Sequence, residues 1–223
     1  SLLYSVGHPF FPMGIYESPP ARISSNSWNV SDPVADGDWY LDKGQYNVYS
    51  QQVDELSIEH EDKIFIFSAG NSGGTQEGYP EDYLTINPSY GSSKNALVVG
   101  RMSFDPFRFG TAPSWGPTRD GRIKPGLIAT TQVVATTENH TYQEKDGSSM
   151  STPVVAGVAA LLSQYFRDLY QSEPSGALLK AVLLNTADYV GNPGPSFSAG
   201  YGAVNARRAA KVIKVASYFE GAV

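Results

Sequence analysis

The chain contains no cysteine, which excludes disulfide staples, thiolate metal ligands and a cysteine nucleophile. Histidine is scarce, three in 223 residues, so few imidazoles are on hand for proton transfer or metal binding. No apolar run reaches the roughly 18 residues that a membrane-crossing helix needs. No Lys/Arg block occurs, and a net charge of −6 opposes nucleic acid as a partner. Internal repeats and low-complexity segments are also missing. What is present suits a globular protein: a hydrophobic fraction of 41% is enough, at this length, for one sizeable core.

Apolar runs and periodic segments alternate along the chain. Residues 23–27, 64–68, 95–100 and 123–129 read as strands. Residues 46–61 read as an amphipathic helix with Val48, Val53, Leu56 and His60 on one face. Residues 149–170, 175–187 and 205–215 read as further helices. Residues 32–44 form an acidic, turn-rich loop, and 73–93 an irregular surface loop. This alternation predicts an α/β fold, a doubly wound parallel sheet with helices on both faces. Pro153 falls in the first turn of its helix, where a missing N–H costs little. Gly157, mid-helix, is expected to let that helix approach the sheet closely.

Two stretches carry chemistry. Gly147-Ser148-Ser149-Met150-Ser151-Thr152-Pro153 leads a tight turn into a long helix of small apolar residues. A helix N-terminus offers free N–H groups and partial positive charge. A serine hydroxyl held there can attack a carbonyl while nearby donors take up the developing negative charge. The plainer reading of the same residues is a helix cap. Upstream, Ile64 to Ser68 runs into Ala69-Gly70-Asn71-Ser72-Gly73. This is an apolar strand ending in a glycine-rich turn, at the edge where α/β enzymes place functional groups. The Asn71 carboxamide could face an oxyanion there, or Asn71 could simply tolerate a left-handed turn.

Together these residues resemble the subtilisin-like serine peptidases, the subtilases. GSSMSTPVVAG (147–157) is similar to the family's nucleophile motif and SAGNSG (68–73) to its oxyanion-asparagine motif. ARISSNSWN (21–29) resembles the strand lining the substrate cleft, and SWGPTRDGRIKPG (114–126) the family's S-x-G-P-x-x-D-G-R-x-K-P-D segment. LLKAVLLNTA (178–187) and GYGAVNARRA (200–209) resemble the segments that close the domain. The matches follow family order over nearly the whole chain. The nearest likeness is to long bacterial subtilases with a β-rich module after the peptidase domain.

The resemblance implies a three-layer α/β fold, incomplete at its N-terminus, and a serine endopeptidase acting through an acyl-enzyme. Ser149 is the implied nucleophile and Asn71 the oxyanion donor. Ser27, Trp28 and Asn29 on one side, with Ser68, Ala69 and Gly70 on the other, are the implied pocket walls. Substrate would pair as an added strand with the backbone of 27–29. The family's triad Asp and His motifs do not occur, and His8, His60 and His140 lie in unsuitable surroundings. Residues 1–216 are therefore expected to be the C-terminal part of a peptidase domain, and 217–223 the start of a linker or β-module. The partners implied are a protein or peptide substrate and the N-terminal part carrying Asp and His. No nucleic acid, membrane span or required cofactor is expected, and the location is extracellular or cell-surface. Asp32, Asp36, Asp38 and Asp42 suit either Ca²⁺ or a solvated loop. Asn29, Gly126 and residues 128–131 depart from the family pattern. The loss of the family's Asp at 126 and of a Pro-Gly turn at 128–131 is expected to weaken bracing near Ser149, which keeps open a catalytically inactive binding or structural module.

Overall fold

The computed structural model describes residues 21–28, 43–74, 78–102, 112–137 and 140–215. Four strands form one parallel sheet in chain order: β1 (Ile23–Asn26), β2 (Ile64–Ser68), β3 (Leu97–Met102) and β4 (Leu127–Thr130). α1 (Val48–Glu59) connects β1 to β2. A long helix α2 (Ser148–Tyr170), then α3 (Gly176–Asn185) and α4 (Ala206–Lys214), come after the last strands. This is the α/β architecture expected from the alternating pattern.

Both faces of the sheet are covered, which explains why β2 is buried at every position. Ile64 and Ile66, with Leu97, Val99, Leu127 and Ala129, pack against Val155, Ala159, Leu162 and Phe166 of α2. Leu179, Val182 and Leu183 of α3 and Ile213 of α4 complete that layer. Phe65 and Phe67 point to the other face, against Val53 and Leu56 of α1 and the ring of Tyr90. Each buried Val, Leu, Ile or Phe side chain among these contributes on the order of 1.5–3 kcal/mol by leaving water.

Several expectations are corrected. The buried residues of α1 are Ser50, Val53, Asp54 and Leu56, while Val48 is 59% exposed. Polar contacts set that face. Asp54 accepts hydrogen bonds from the N–H groups of Lys94 and Asn95 and from the Tyr46 hydroxyl. Burial and the Asp54 carboxylate together push the Tyr46 hydroxyl up to about 12. Gly157 is exposed with open space around its Cα, so it does not serve close contact with the sheet. β4 begins at Leu127 rather than at 123, because Pro125 cannot donate to a ladder; Gly126 makes the first bond, donating to Val98 O at 2.7 Å. Residues 133–145 hold an antiparallel hairpin, β5 (Val133–Thr136) and β6 (Tyr142–Lys145), that the pattern does not reveal. Elsewhere helices start one residue past their polar caps: Ser175 accepts from Leu178 N–H and Asn205 from Arg208 N–H.

The N-terminal end of the sheet buries a cation. Lys124 donates to Ala96 O at 3.2 Å, and burial, with Lys180 and Arg122 nearby, lowers it to about 7. Its charged form is thus penalised in the folded state below pH 7. The penalty is relieved as pH rises towards its unfolded value of 10.5. Lys124→Met is expected to raise unfolding stability most near pH 6. The gain should shrink by a few kcal/mol towards pH 10, at about 1.4 kcal/mol per pH unit. Urea titrations of both proteins at the two pH values measure it.

Candidate active site

The strand β2 ends at Ser68, and the chain turns sharply through Gly70. Gly70 has φ +114, and a Cβ there would lie 2.3 Å from Asn87 Oδ1 and 2.7 Å from Ser114 Oγ. Only glycine fits. The turn brings Asn71 beside the entry to α2. The Ser148 N–H donates to Asn71 Oδ1 at 2.8 Å, and the Gly70 N–H donates to Ser148 Oγ at 3.1 Å. The first N–H groups of a helix have no intrahelical acceptor, so the loop after β2 supplies one that α2 lacks, and Ser148 Oγ accepts from the loop in return. Because the Ser148 N–H demands an oxygen, it also fixes which end of the carboxamide faces it. The Asn71 NH₂ group lies beside Gly147.

Gly147 caps α2 with φ 130 and ψ 159, a conformation essentially reserved for glycine. A Cβ there would meet Asn71 Nδ2 at 3.1 Å. Thr131 grips the turn twice: its Oγ1 accepts from Gly147 N–H at 2.6 Å and donates to Gly147 O at 2.7 Å. Ser151 Oγ donates to Ala129 O at 2.9 Å, and Thr152 Oγ1 to Ser148 O at 2.7 Å. Against the expected weakening at 128–131, the turn before Ser149 is thus braced by Thr131. Thr131, buried beside Gly147, carries both a donor and an acceptor. Sequence reading passes it over, since nothing local distinguishes it from any strand-end threonine.

Ser149 is half-buried in the first turn of α2, and its N–H has no acceptor among the described residues. Ser27 Oγ donates to Ser149 O at 2.9 Å, and Ser149 Oγ makes a long 3.4 Å contact to Ser27 O. The structure thus brings Ser27, Asn71 and Ser149 together at the C-terminal edge of the sheet. Trp28 stands edge-on to Tyr90 at 4.9 Å and to Phe67 at 6.1 Å, so its ring is held by the aromatic layer over α1. Ser68 and Ala69 are buried. The Ala69 N–H donates to Val99 O and its carbonyl accepts from Asn87 N–H, while Gly70 O accepts from Ser114 N–H. These backbone groups are committed to the scaffold. Lys43, buried, donates to Ser72 O at 2.5 Å and steadies the loop from the far side; burial lowers its ammonium below the usual lysine range.

Neither described histidine reaches Ser149. His60 is the C-cap of α1, at the N-terminal end of β2, about 16 Å of strand away from the Asn71 loop. His140 sits exposed at the tip of the β5–β6 hairpin. Asn29, His8, the four aspartates at 32, 36, 38 and 42, and residues 217–223 lie outside the described residues. Among the described residues no group of three or more His, Asp or Glu is disposed to hold a metal ion.

Comparison with known proteins agrees with this fold. The profile of the Subtilase family matches residues 13–202. A C5a peptidase of Streptococcus pyogenes is 39% identical over 105 residues, covering 43% of this chain and 9% of its own length. The Dictyostelium discoideum serine protease/ABC transporter B family protein tagD is 32% identical over 120 residues, covering 42% of this chain and 7% of its own. The matched region is thus under a tenth of either relative. Among solved structures, the prenylagaramide maturation protease PagA superposes with TM-score 0.64 at 22% identity, covering 86% of this chain and 62% of that one. The patellamide maturation protease PatA gives 0.60 at 22% identity, covering 78% and 59%. These last two speak for the fold.

Thr131→Val keeps shape but orphans the Gly147 N–H and weakens the hold on its carbonyl. It is expected to cost about 2–4 kcal/mol, read as a lower denaturant midpoint at unchanged slope, with Thr131→Ser recovering most of the loss.

Proposed function

The chain belongs to the subtilase family, and on that premise we propose that it supplies the nucleophile and the oxyanion-binding groups of a serine endopeptidase. The observation that carries this reading is the junction of Asn71 with the Ser148–Ser149 turn: its carboxamide is bonded to the Ser148 N–H, next to a half-buried serine hydroxyl whose own N–H has no acceptor among the described residues. In the proposed reaction Ser149 Oγ attacks the carbonyl carbon of a peptide bond, and its proton passes to a histidine base. The carbonyl oxygen, now negative, is held by the Ser149 N–H and the Asn71 NH₂. Collapse breaks the C–N bond, the amine leaves with the proton, and water then releases the acyl group by the same route.

The base and its orienting aspartate are proposed to come from a further part of the same protein, as the family resemblance implies. An exposed stripe along α2 supports this. It begins at Ser149 and runs through Pro153, Gly157 and Leu161, the last 66% exposed. A segment laid over that stripe would reach the Ser149 hydroxyl. Residues 1–216 are accordingly assigned to the peptidase domain and 217–223 to a linker or β-module after it. Peptide substrate is proposed to lie between the 27–29 and 68–70 backbones. The protein's place is proposed to be secreted or at the cell surface; among the described residues no helix is long and apolar enough to cross a membrane. Ca²⁺ at the 32–42 loop stays a secondary proposal on the chemistry of its carboxylates. The inactive binding or structural module stays the second reading, on the departures at Gly126 and 128–131; the two Thr131–Gly147 hydrogen bonds favour the active one.

The full-length protein is expected to react with a fluorophosphonate at Ser149, and Ser149→Ala to abolish labelling, read by peptide mass spectrometry. Absence of labelling in folded, propeptide-free protein would favour the non-catalytic reading. Asn71→Ala should lower turnover by about 10²–10³, the cost of losing the corresponding donor in subtilisin, with substrate binding little changed. The 223-residue chain alone is expected to release no product from a peptide substrate; measurable turnover by the purified chain would refute the need for an external base.

A further inference from the structure

One buried charge pair next to the site has no role in the chemistry above. Asp146 immediately precedes Gly147, and Arg101 lies near the C-terminal end of β3, paired in register with Ala129 of β4. Arg101 Nη1 stands 3.2 Å from Asp146 Oδ2, and both side chains are 1% exposed. Among the described residues neither Asp146 oxygen receives a well-aligned hydrogen bond, so the Arg101 charge carries the compensation. Burying two charges this fully is costly, and well-packed apolar residues in their place are often as stable or more so. Stability alone therefore gives a poor account of the pair.

Its placement gives a better one. Three anchors converge on consecutive residues. Arg101 holds Asp146 from β3, Thr131 holds Gly147 from the end of β4, and Asn71 holds Ser148 from the loop after β2. Ser149 comes next. The ion pair is the first fixed point before the nucleophile turn, on the side where the exposed hairpin strand β6 enters it. Apolar packing has no preferred direction, whereas a charge pair against a central strand holds residue 146 at a set distance. Angular or sub-ångström error there is passed to the Ser149 hydroxyl and N–H, and misplacement by about 1 Å can cost on the order of 10²-fold in rate.

We propose that Arg101 and Asp146 are positioning residues, whose buried ion pair sets the Gly147–Ser149 turn so that the Ser149 and Asn71 donors share one oxyanion. The inference rests on the serine-peptidase reading. It is tested in the full-length protein with Arg101→Gln, Asp146→Asn and the paired apolar variant Arg101→Met/Asp146→Leu. The readouts are the fluorophosphonate labelling rate, kcat and KM on a peptide, and melting temperature. Each single variant is expected to label at least about tenfold more slowly, with kcat lowered and KM within about threefold. The paired variant is expected to melt within a few degrees of the parent and still to label at least about tenfold more slowly. If the singles do not fold, the paired variant decides. Parental labelling by the paired variant, or by either folded single, overturns the inference while leaving the peptidase reading intact. A parent that does not label overturns both.

Discussion

The hydrogen bond from the Ser148 N–H to Asn71 Oδ1 joins the N-terminus of α2 to the loop leaving β2. A helix start exposes amides that must find acceptors, and a buried start without them would be penalised by about 1–3 kcal/mol per group. Here the acceptor is a side chain whose other end is a donor. Satisfying the helix therefore leaves the amide end of that side chain beside Gly147, two residues before Ser149. The close approach explains both neighbouring glycines. Gly70 lets the loop pass Asn87 and Ser114, and Gly147 leaves room for the carboxamide itself. One structural need and one chemical opportunity are met by the same contact.

The two ends of the sheet are built differently. At the N-terminal end, Asp54 gathers the N–H groups of Lys94 and Asn95, and Lys124 and Lys180 donate to backbone carbonyls at 94–96. Polar groups there are consumed in closing α1, α3 and the loop before β3 onto one another. At the C-terminal end, donors are left over: among the described residues the Ser149 N–H and the Asn71 NH₂ have no acceptor, and both residues are half-buried. Parallel sheets concentrate loops and helix starts of this kind at the carboxyl ends of their strands. The family match and the superposable folds place the chain among proteins organised in this way.

Much of the fold is legible in the sequence. Residues 64–68 read as a buried strand because five apolar or small residues in a row suit a sheet covered on both faces, and β2 has those bounds. Helices α2, α3 and α4 match their sequence bounds to within a residue or two, since small apolar runs and Ser or Asn caps mark them. The face of α1 is not legible, because Asp54 and Ser50 are buried through hydrogen bonds made by residues far along the chain. Periodicity cannot register such partners. The β5–β6 hairpin escapes notice because its strands are short and largely exposed, with little apolar alternation.

For the site, sequence by itself determined which groups are on hand: a serine at a helix start, an asparagine after a buried strand, glycines at the turns, and no cysteine. These are local facts of residue type and spacing; the family resemblance singled out Ser149 and Asn71 among them. Only the tertiary structure decided that Asn71 bonds the residue before Ser149, that Thr131 rather than a Pro-Gly turn braces Gly147, and that Arg101 and Asp146 face each other, buried, beside them. The reason is physical. Each of these contacts joins segments held apart along the chain, and its geometry depends on the register of β2, β3 and β4, which is set by core packing rather than by any residue within the contact.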